Sequence, residues 1–311
     1  MSLSVITPHY NDFDGLKRIL TCLQDQTNKD WEWIIVDDCS DKSVLINIEE
    51  WKSNISDNKI RFIKNTSKSN ASVCRNKGIE LAKFENLVFL DSDDYIAKDF
   101  VSNRQIEFNE FAIFPNFHVV DNTSHFIKKE LKNKEDLLNK FLAAQFLWQT
   151  SCVLWKKNYL TQIGEFDPNL ERLQDVELCL RALFDSENYK IIDNKVDFFY
   201  YAKPISLKPE IVRKSCESVN YLISKLNTNY SLDSYRKSLV KAYYFACVKG
   251  LHRCKNRTNT IYVKESLKLF SKLKYINLFE YIVGYILLKL YQYHLISDLL
   301  FIRINRYIFK Y

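Results

Sequence analysis

The sequence predicts an α/β fold, with a mainly parallel sheet flanked by helices and a helical carboxy-terminal region after it. Three observations carry that prediction. Short apolar, β-branched runs alternate with stretches whose apolar residues recur at helical spacing through the first 90 residues. Alternation of this kind implies parallel strands buried on both faces. Tyr10, Asp38 and the cluster Asp91–Asp94 fall at the carboxyl ends of strand runs, where such sheets bind ligands. Past about residue 203 the strand runs stop, and helical spacing continues in a basic stretch.

Taken in order, LSVITPHY (residues 3–10) is a strand ending in turn residues, and DGLKRILTCLQDQ (14–26) sets Leu16, Ile19, Leu20 and Leu23 on one helix face. WEWIIVDDCSD (31–41) is a second strand that runs into Asp37 and Asp38, SVLINIEEWKS (43–53) a helix and KIRFIKN (59–65) a third strand. NASVCRNKGIELAKF (70–84) reads as a helix starting near Asn70, and NLVFL (86–90) as a fourth strand. From about Gln149 the pattern changes. TSCVLWKK (150–157) is a further strand, IGEFDPNL (163–170) a turn-rich loop, and QDVELCLRALF (174–184) an amphipathic helix. Residues 212–226, 234–251 and 262–273 carry apolar stripes at helical spacing. The change of pattern places a boundary between 200 and 210, dividing the chain into 1–205 and 206–311.

Charge follows the same boundary. Residues 1–202 hold 25 Lys and Arg against 32 Asp and Glu, net −7, whereas 203–311 hold 20 against 6, net +14. Such a split points to two roles and to an anionic surface met by the second half. The 47% hydrophobic and 27% charged residues are those of a globular protein, and only 5 Gly and 5 Pro argue against a disordered or repeat chain. The 8 Cys form no C-x-x-C pair and no zinc spacing, which points to reduced thiols in the cytoplasm. MSLSVITPHYND lacks the basic and apolar regions of a signal peptide. The apolar stretch 278–302 is interrupted by Glu280, Lys289, His294 and Asp298, too many charges for a simple membrane span.

The acidic stretch LDSDD asks for an explanation. In an extended segment Asp91 and Asp93 share a face, and two carboxylates at a strand end suit Mg²⁺ or Mn²⁺. An Asx-type turn with solvated charges is the alternative. Asp37 and Asp38 either accept donors from a base or sugar or cap the next helix. Asp175, near a helix start, is favoured there by the dipole and becomes chemical only if the site needs a second carboxylate.

SVITPHYND, WIIVDDCSD, ASVCRNKGIELA, VFLDSDD and IGEFDPNLERLQDVELCLR, in this order and spacing, resemble the family-2 inverting glycosyltransferases of the GT-A (Rossmann-like) fold. The resemblance covers roughly residues 3–185. It implies that Thr7, Pro8, Tyr10 and Asp38 hold the nucleotide base, and that Arg75 lines the uridine side. It implies that Asp91 lies near ribose and metal, that Ser92 belongs to the same nucleotide-sugar segment, and that Asp93 is a ligand of Mn²⁺ or Mg²⁺. Asp175 matches the general base, with Gln174 where the family usually has glutamate. Lys203 or Lys208 stands in for the cation that the family carries on a mobile diphosphate loop. The implied reaction is direct displacement on a nucleotide-diphosphate sugar, UDP being the commonest carrier, with an acceptor hydroxyl deprotonated by the base. Trp148, just ahead of the strand at 150–157, either stacks on an acceptor sugar or is an ordinary core tryptophan.

Residues 203–311 lie outside the resemblance. Their mixture of Lys and Arg with Tyr, Phe, Ile and Leu fits docking on an anionic membrane, on the inner face of the cell membrane. A helical bundle on the catalytic domain, or a contact in a homo-oligomer, is the other reading. No nucleic-acid-binding motif accompanies the charge. A saccharide acceptor, lipid-linked in capsule or O-antigen assembly, suits such a tail. Two rivals remain. A nucleotidyltransferase needs a glycine-rich phosphate loop that TPHYND does not offer, and a non-catalytic binding protein has no need of Asp38, Asp91, Asp93 and Asp175 together.

Overall fold

The structure, a computed structural model, describes residues 1–55, 57–120, 125–127, 134–201 and 208–310. The chain divides into two compact units, the first holding 1–132, 147–169 and 181–203, the second 133–146, 170–180 and 204–311.

The first unit opens with the expected alternation: β1 (Leu3–His9), α1 (Phe13–Gln24), β2 (Trp31–Asp37), α2 (Lys42–Ser53), β3 (Ile60–Lys64), α3 (Ala71–Leu81) and β4 (Asn86–Phe89). It continues with β5 (Tyr95–Ile96), α4 (Phe100–Asn103), β6 (Phe111–Ile113), β7 (Phe117–Val120) and β8 (His125–Ile127). After α5 (Lys134–Leu142), which belongs to the second unit, come β9 (Val153–Lys156) and α6 (Lys157–Gln162). Helix α7 (Gln174–Asp185) leads to β10 (Tyr189–Ile191) and β11 (Phe198–Tyr201). Seven strands form one sheet in the order β10-β6-β9-β4-β1-β2-β3, and β5-β11-β7-β8 form a second.

The large sheet is mainly parallel: β1 pairs with β2 and β4, β2 with β3, and β6 with β10, all in parallel register. Strand β9 alone runs antiparallel, between β4 and β6. All seven residues of β2 and six of seven in β1 are buried, as helices on both faces require. Each fully buried Ile, Val or Leu there contributes about 1.5–3 kcal/mol. Helix α3 lies close on β1, since a Cβ at Gly78 would come within 2.3 Å of Ile6 Cγ2. The expected strand over 150–157 is shorter: Thr150–Cys152 make a 3₁₀ turn and the strand is Val153–Lys156.

The second unit is helical. Helices α8 (Pro209–Asn229), α9 (Ser234–Cys254), α10 (Thr260–Lys272), α11 (Leu278–Gln292) and α12 (Asp298–Phe309) follow one another. Pro209 starts α8, where its fixed φ is already helical and its missing N–H costs nothing. Asn277 and Glu280 cap α11 reciprocally. Gly284 brings α11 close, with Leu267 of α10 and Phe309 of α12 about 3 Å from where its Cβ would be. Tyr291 stacks on Phe301 at 4.0 Å and Tyr244 meets Phe309 edge-on at 4.6 Å, so aromatic rings fill much of this core. No helix among the described residues is long and apolar enough to cross a membrane.

Candidate active site

The ends of β1, β2 and β4 and the start of α3 enclose a cavity of about 360 Å³. It brings together Pro8, Tyr10, Asp38, Arg75, Asp91, Ser92 and Asp93, each named from the sequence. Thr7 lies beneath it rather than in its wall: the residue is fully buried, and its hydroxyl accepts a hydrogen bond from Trp33 Nε1 at 2.9 Å. Sequence reading missed His9, Lys68, Ser69 and Cys74, which also line the cavity.

His9 and Asp37 fix the floor. His9 Nε2 accepts the Asp12 N–H at 3.1 Å, so Nδ1 carries the proton and donates to Asp37 Oδ1 at 2.8 Å. Ser40 adds its N–H to Asp37 Oδ2 at 3.0 Å, together with a hydroxyl bond to Oδ1. Burial pushes the Asp37 carboxyl up, but the bonds from His9 and Ser40 outweigh it and hold the group below the usual carboxylate range. Asp38 behaves alike. Its burial is outweighed by Ser69, Lys68 and Asn65, with Lys68 Nζ 3.0 Å from Oδ2 and the Ser69 N–H 2.8 Å from Oδ1. Lys68 also sits 3.0 Å above the Tyr10 ring centroid, so the loop before α3 lies over the Tyr10 side of the cavity.

The acidic loop is held from α1. Asp12 caps that helix through the Gly15 N–H at 3.2 Å, and its other oxygen accepts Ser92 Oγ at 2.8 Å. Arg18 donates to the Ser92 carbonyl at 3.0 Å. Gly15 makes this approach possible, because a Cβ there would come within 2.2 Å of the same carbonyl oxygen. Arg75, from α3, pairs with Asp91 at 2.7 Å and lies over Phe166 at 5.1 Å.

Carboxylate oxygens of Asp91, Asp93 and Asp94 lie within 4.8 Å of one another. Asp94 is buried and accepts the Tyr201 N–H at 2.9 Å. Burial, then Asp91 and Asp93, push its carboxyl well above the usual range. An all-oxygen donor set that repels itself, with Asp91 and Asp93 lining the cavity and Asp94 buried, fits a hard divalent cation such as Mg²⁺ or Mn²⁺.

Asp175 stands in the first turn of α7, in the second unit, half-buried. Tyr243, fully buried on α9, donates its hydroxyl to the Phe141 carbonyl at 2.8 Å; burial raises the phenol and the Asp175 charge raises it further. Gln174 is buried and donates Nε2 to the Leu170 carbonyl at 2.8 Å, closing the turn that begins the helix. Glu177, one turn on, is paired with Lys225 at 2.7 Å. Trp148 is 4% exposed, so little of its face is open to a sugar. Lys208 is exposed just ahead of α8, and Lys203 lies outside the described residues.

A mainly parallel sheet flanked by helices, with a carboxylate-lined cavity at its strand ends, is an α/β fold of the GT-A type. The chain belongs to glycosyl transferase family 2, which it matches over residues 4–159. It is 30% identical over 204 residues to the amylovoran biosynthesis glycosyltransferase AmsB of Erwinia amylovora, covering 62% of this chain and 66% of AmsB, just under two thirds. It is 28% identical over 252 residues to the poly(ribitol-phosphate) beta-N-acetylglucosaminyltransferase TarP of Staphylococcus aureus, covering 78% and 72%. A shorter match, 26% over 125 residues, covers 39% of this chain and 48% of the Escherichia coli UDP-Glc:alpha-D-GlcNAc-diphosphoundecaprenol beta-1,3-glucosyltransferase WfgD. Among solved structures, S. aureus TarS 1–349 in complex with UDP-GlcNAc superposes with a TM-score of 0.53 at 15% identity, covering 88% of this chain and 87% of that one. The mannosyltransferase PcManGT of Pyrobaculum calidifontis, in complex with GDP-Man and Mn2+, gives 0.55 at 14% identity, covering 98% and 86%. These structures share the fold.

Proposed function

We propose that the chain is an inverting, metal-dependent glycosyltransferase that moves a sugar from a UDP-sugar to a saccharide hydroxyl in bacterial surface-polysaccharide assembly. The observation that carries this reading is the single cavity joining Tyr10 and Asp38 at one end to Arg75 and the acidic loop at the other. The names of TarP and AmsB, and the UDP-GlcNAc in the TarS structure, support the polysaccharide and the UDP carrier.

Tyr10 and Pro8 bound the base, and Asp38, kept ionised by its donors, accepts an N–H from it. Arg75 steadies Asp91 against the ribose. Asp93 and Asp91 would hold Mn²⁺ or Mg²⁺, which when bound offsets charge on the diphosphate leaving group. Asp175 accepts the proton of the acceptor hydroxyl. The acceptor oxygen bonds the anomeric carbon as the bond to the diphosphate breaks, UDP departs, and the configuration inverts. Trp148 backs the acceptor side, and Lys203 or Lys208 meets the diphosphate. Residues 1–205 carry this chemistry, with Lys208 standing just beyond them. A lipid-linked acceptor, as in the name of WfgD, brings the enzyme to the cytoplasmic face of the membrane.

A panel of nucleotide-sugars with Mn²⁺, read by release of the nucleoside diphosphate and by protection against melting, tests the reading. A UDP-sugar should be hydrolysed or transferred, and Asp93→Ala should abolish turnover and the Mn²⁺ dependence of UDP binding while the protein stays folded. Full activity in chelator, or in Asp93→Ala, overturns the metal assignment.

A further inference from the structure

Helix α11 is apolar over most of its surface, with Glu280, Lys289 and Gln292 the exceptions. Gly284, Leu287, Leu288 and Tyr291 are buried, whereas Leu278, Phe279, Ile282 and Ile286 are 47–71% exposed on the opposite face. Positions 278, 282 and 286 stand four residues apart, one above another on the same stripe. Further exposed apolar residues follow along the chain: Tyr293 and Leu295, 61% and 67% exposed, Leu299 and Leu300 of α12, 64% and 46% exposed, and Tyr307, 90% exposed. A globular helix turns polar residues outward, and this one largely does not.

The charges around the stripe are mostly basic. Its two acids are engaged: Glu280 meets Lys241 at 3.0 Å and Asp298 meets Arg257 at 2.9 Å. Arg303 and Arg306 of α12, and Lys310 just past its end, are exposed. Burial, followed by the charges of Arg253, Lys310 and Arg306, pushes the Lys249 ammonium of α9 below its ordinary value, so these cations stand close together. A groove of about 370 Å³ between α10 and α11 adds Lys264 and Lys289 above Ile261 and Leu288.

We propose that the outer face of α11 and α12 docks in the headgroup region of an anionic bilayer, the apolar stripe entering the interface and the basic rim meeting lipid phosphate. Exposed Leu, Ile, Phe and Tyr interleaved with Arg and Lys match that environment at both levels. A second copy of the chain is a poorer occupant, because a two-fold contact sets the same basic rim against itself. Spanning is excluded by length: α11 has 15 residues, about 22 Å of helix against a core of about 30 Å. The proposal narrows the sequence expectation from the whole basic third to one face, and it holds whichever sugar is transferred.

Flotation of the full chain with vesicles tests it, using phosphatidylcholine alone and phosphatidylcholine mixed with phosphatidylglycerol. The chain should float with the mixed vesicles, poorly with the neutral ones, and less as salt is raised. The pair Phe279→Asp and Ile286→Asp, and separately the pair Arg303→Glu and Arg306→Glu, should each weaken binding at least ~10-fold. Both pairs lie at exposed positions and should leave melting and UDP binding unchanged. No flotation with either vesicle overturns the proposal, as does flotation that both pairs leave intact. Sedimentation without lipid supplies the other arm: a dimer that Phe279→Asp and Ile286→Asp dissociate assigns the face to a second copy instead. The assay involves no sugar chemistry, so its failure is separate from any failure of the transferase reading.

Discussion

Gly15 shows how much of the site depends on one missing methyl group. Its Cβ would stand 2.2 Å from the Ser92 carbonyl, so Gly15→Ala must push the loop bearing Asp91 and Asp93 away from α1. We expect a stability loss of about 1–3 kcal/mol and Mn²⁺-dependent UDP binding weakened at least ~10-fold by calorimetry. Unchanged binding would mean that α1 does not position the loop. Asp37 offers a pH test. Its folded carboxyl lies below its ordinary value, so its contribution is present above pH ~4 and is lost as pH falls through the folded value. Asp37→Asn should therefore lower stability at pH 7 and flatten the acid side of the melting profile. An unchanged profile would assign the acid dependence elsewhere. The carboxylates Asp38, Asp91 and Asp93 were legible because they close apolar runs. His9 and Ser69 were not, since their partners lie 28 and 31 residues away and no local pattern announces them.

Elements were legible where periodicity was strong. The first four strands and three helices follow the sequence because each apolar run is bounded by turn residues and matches its structural period. The strands β5 to β8 are two to four residues long, too short to show a period, and pass unnoticed between the acidic loop and Trp148. Helix α7 carries Gln174 where the resemblance noted in the sequence leads one to expect glutamate. Here Gln174 donates to the Leu170 carbonyl from a buried position, which an ionised glutamate cannot do. Gln174→Glu should cost about 1–3 kcal/mol in thermal unfolding by leaving a buried carbonyl and carboxylate facing each other. A stabilised variant would show that the amide is not what closes the turn.

At the scale of the whole molecule, the charge split in the sequence points to two roles, one for an acidic first part and one for a basic helical remainder. It did not foresee that residues 133–146 and 170–180 cluster with the helical unit, because packing between distant segments leaves no mark on composition. Asp175 thus belongs to one unit and the acidic loop to the other. The central claim is that donor binding and proton removal are separate duties of these carboxylates. Asp175→Asn tests it most directly, since it keeps the side chain's shape and removes its basicity. Turnover of a UDP-sugar onto acceptor should fall by about 10²–10⁴-fold, while calorimetry still shows Mn²⁺-dependent UDP binding at the wild-type level. Near-normal turnover together with a lowered melting temperature would contradict the account and leave Asp175 a helix-start residue only.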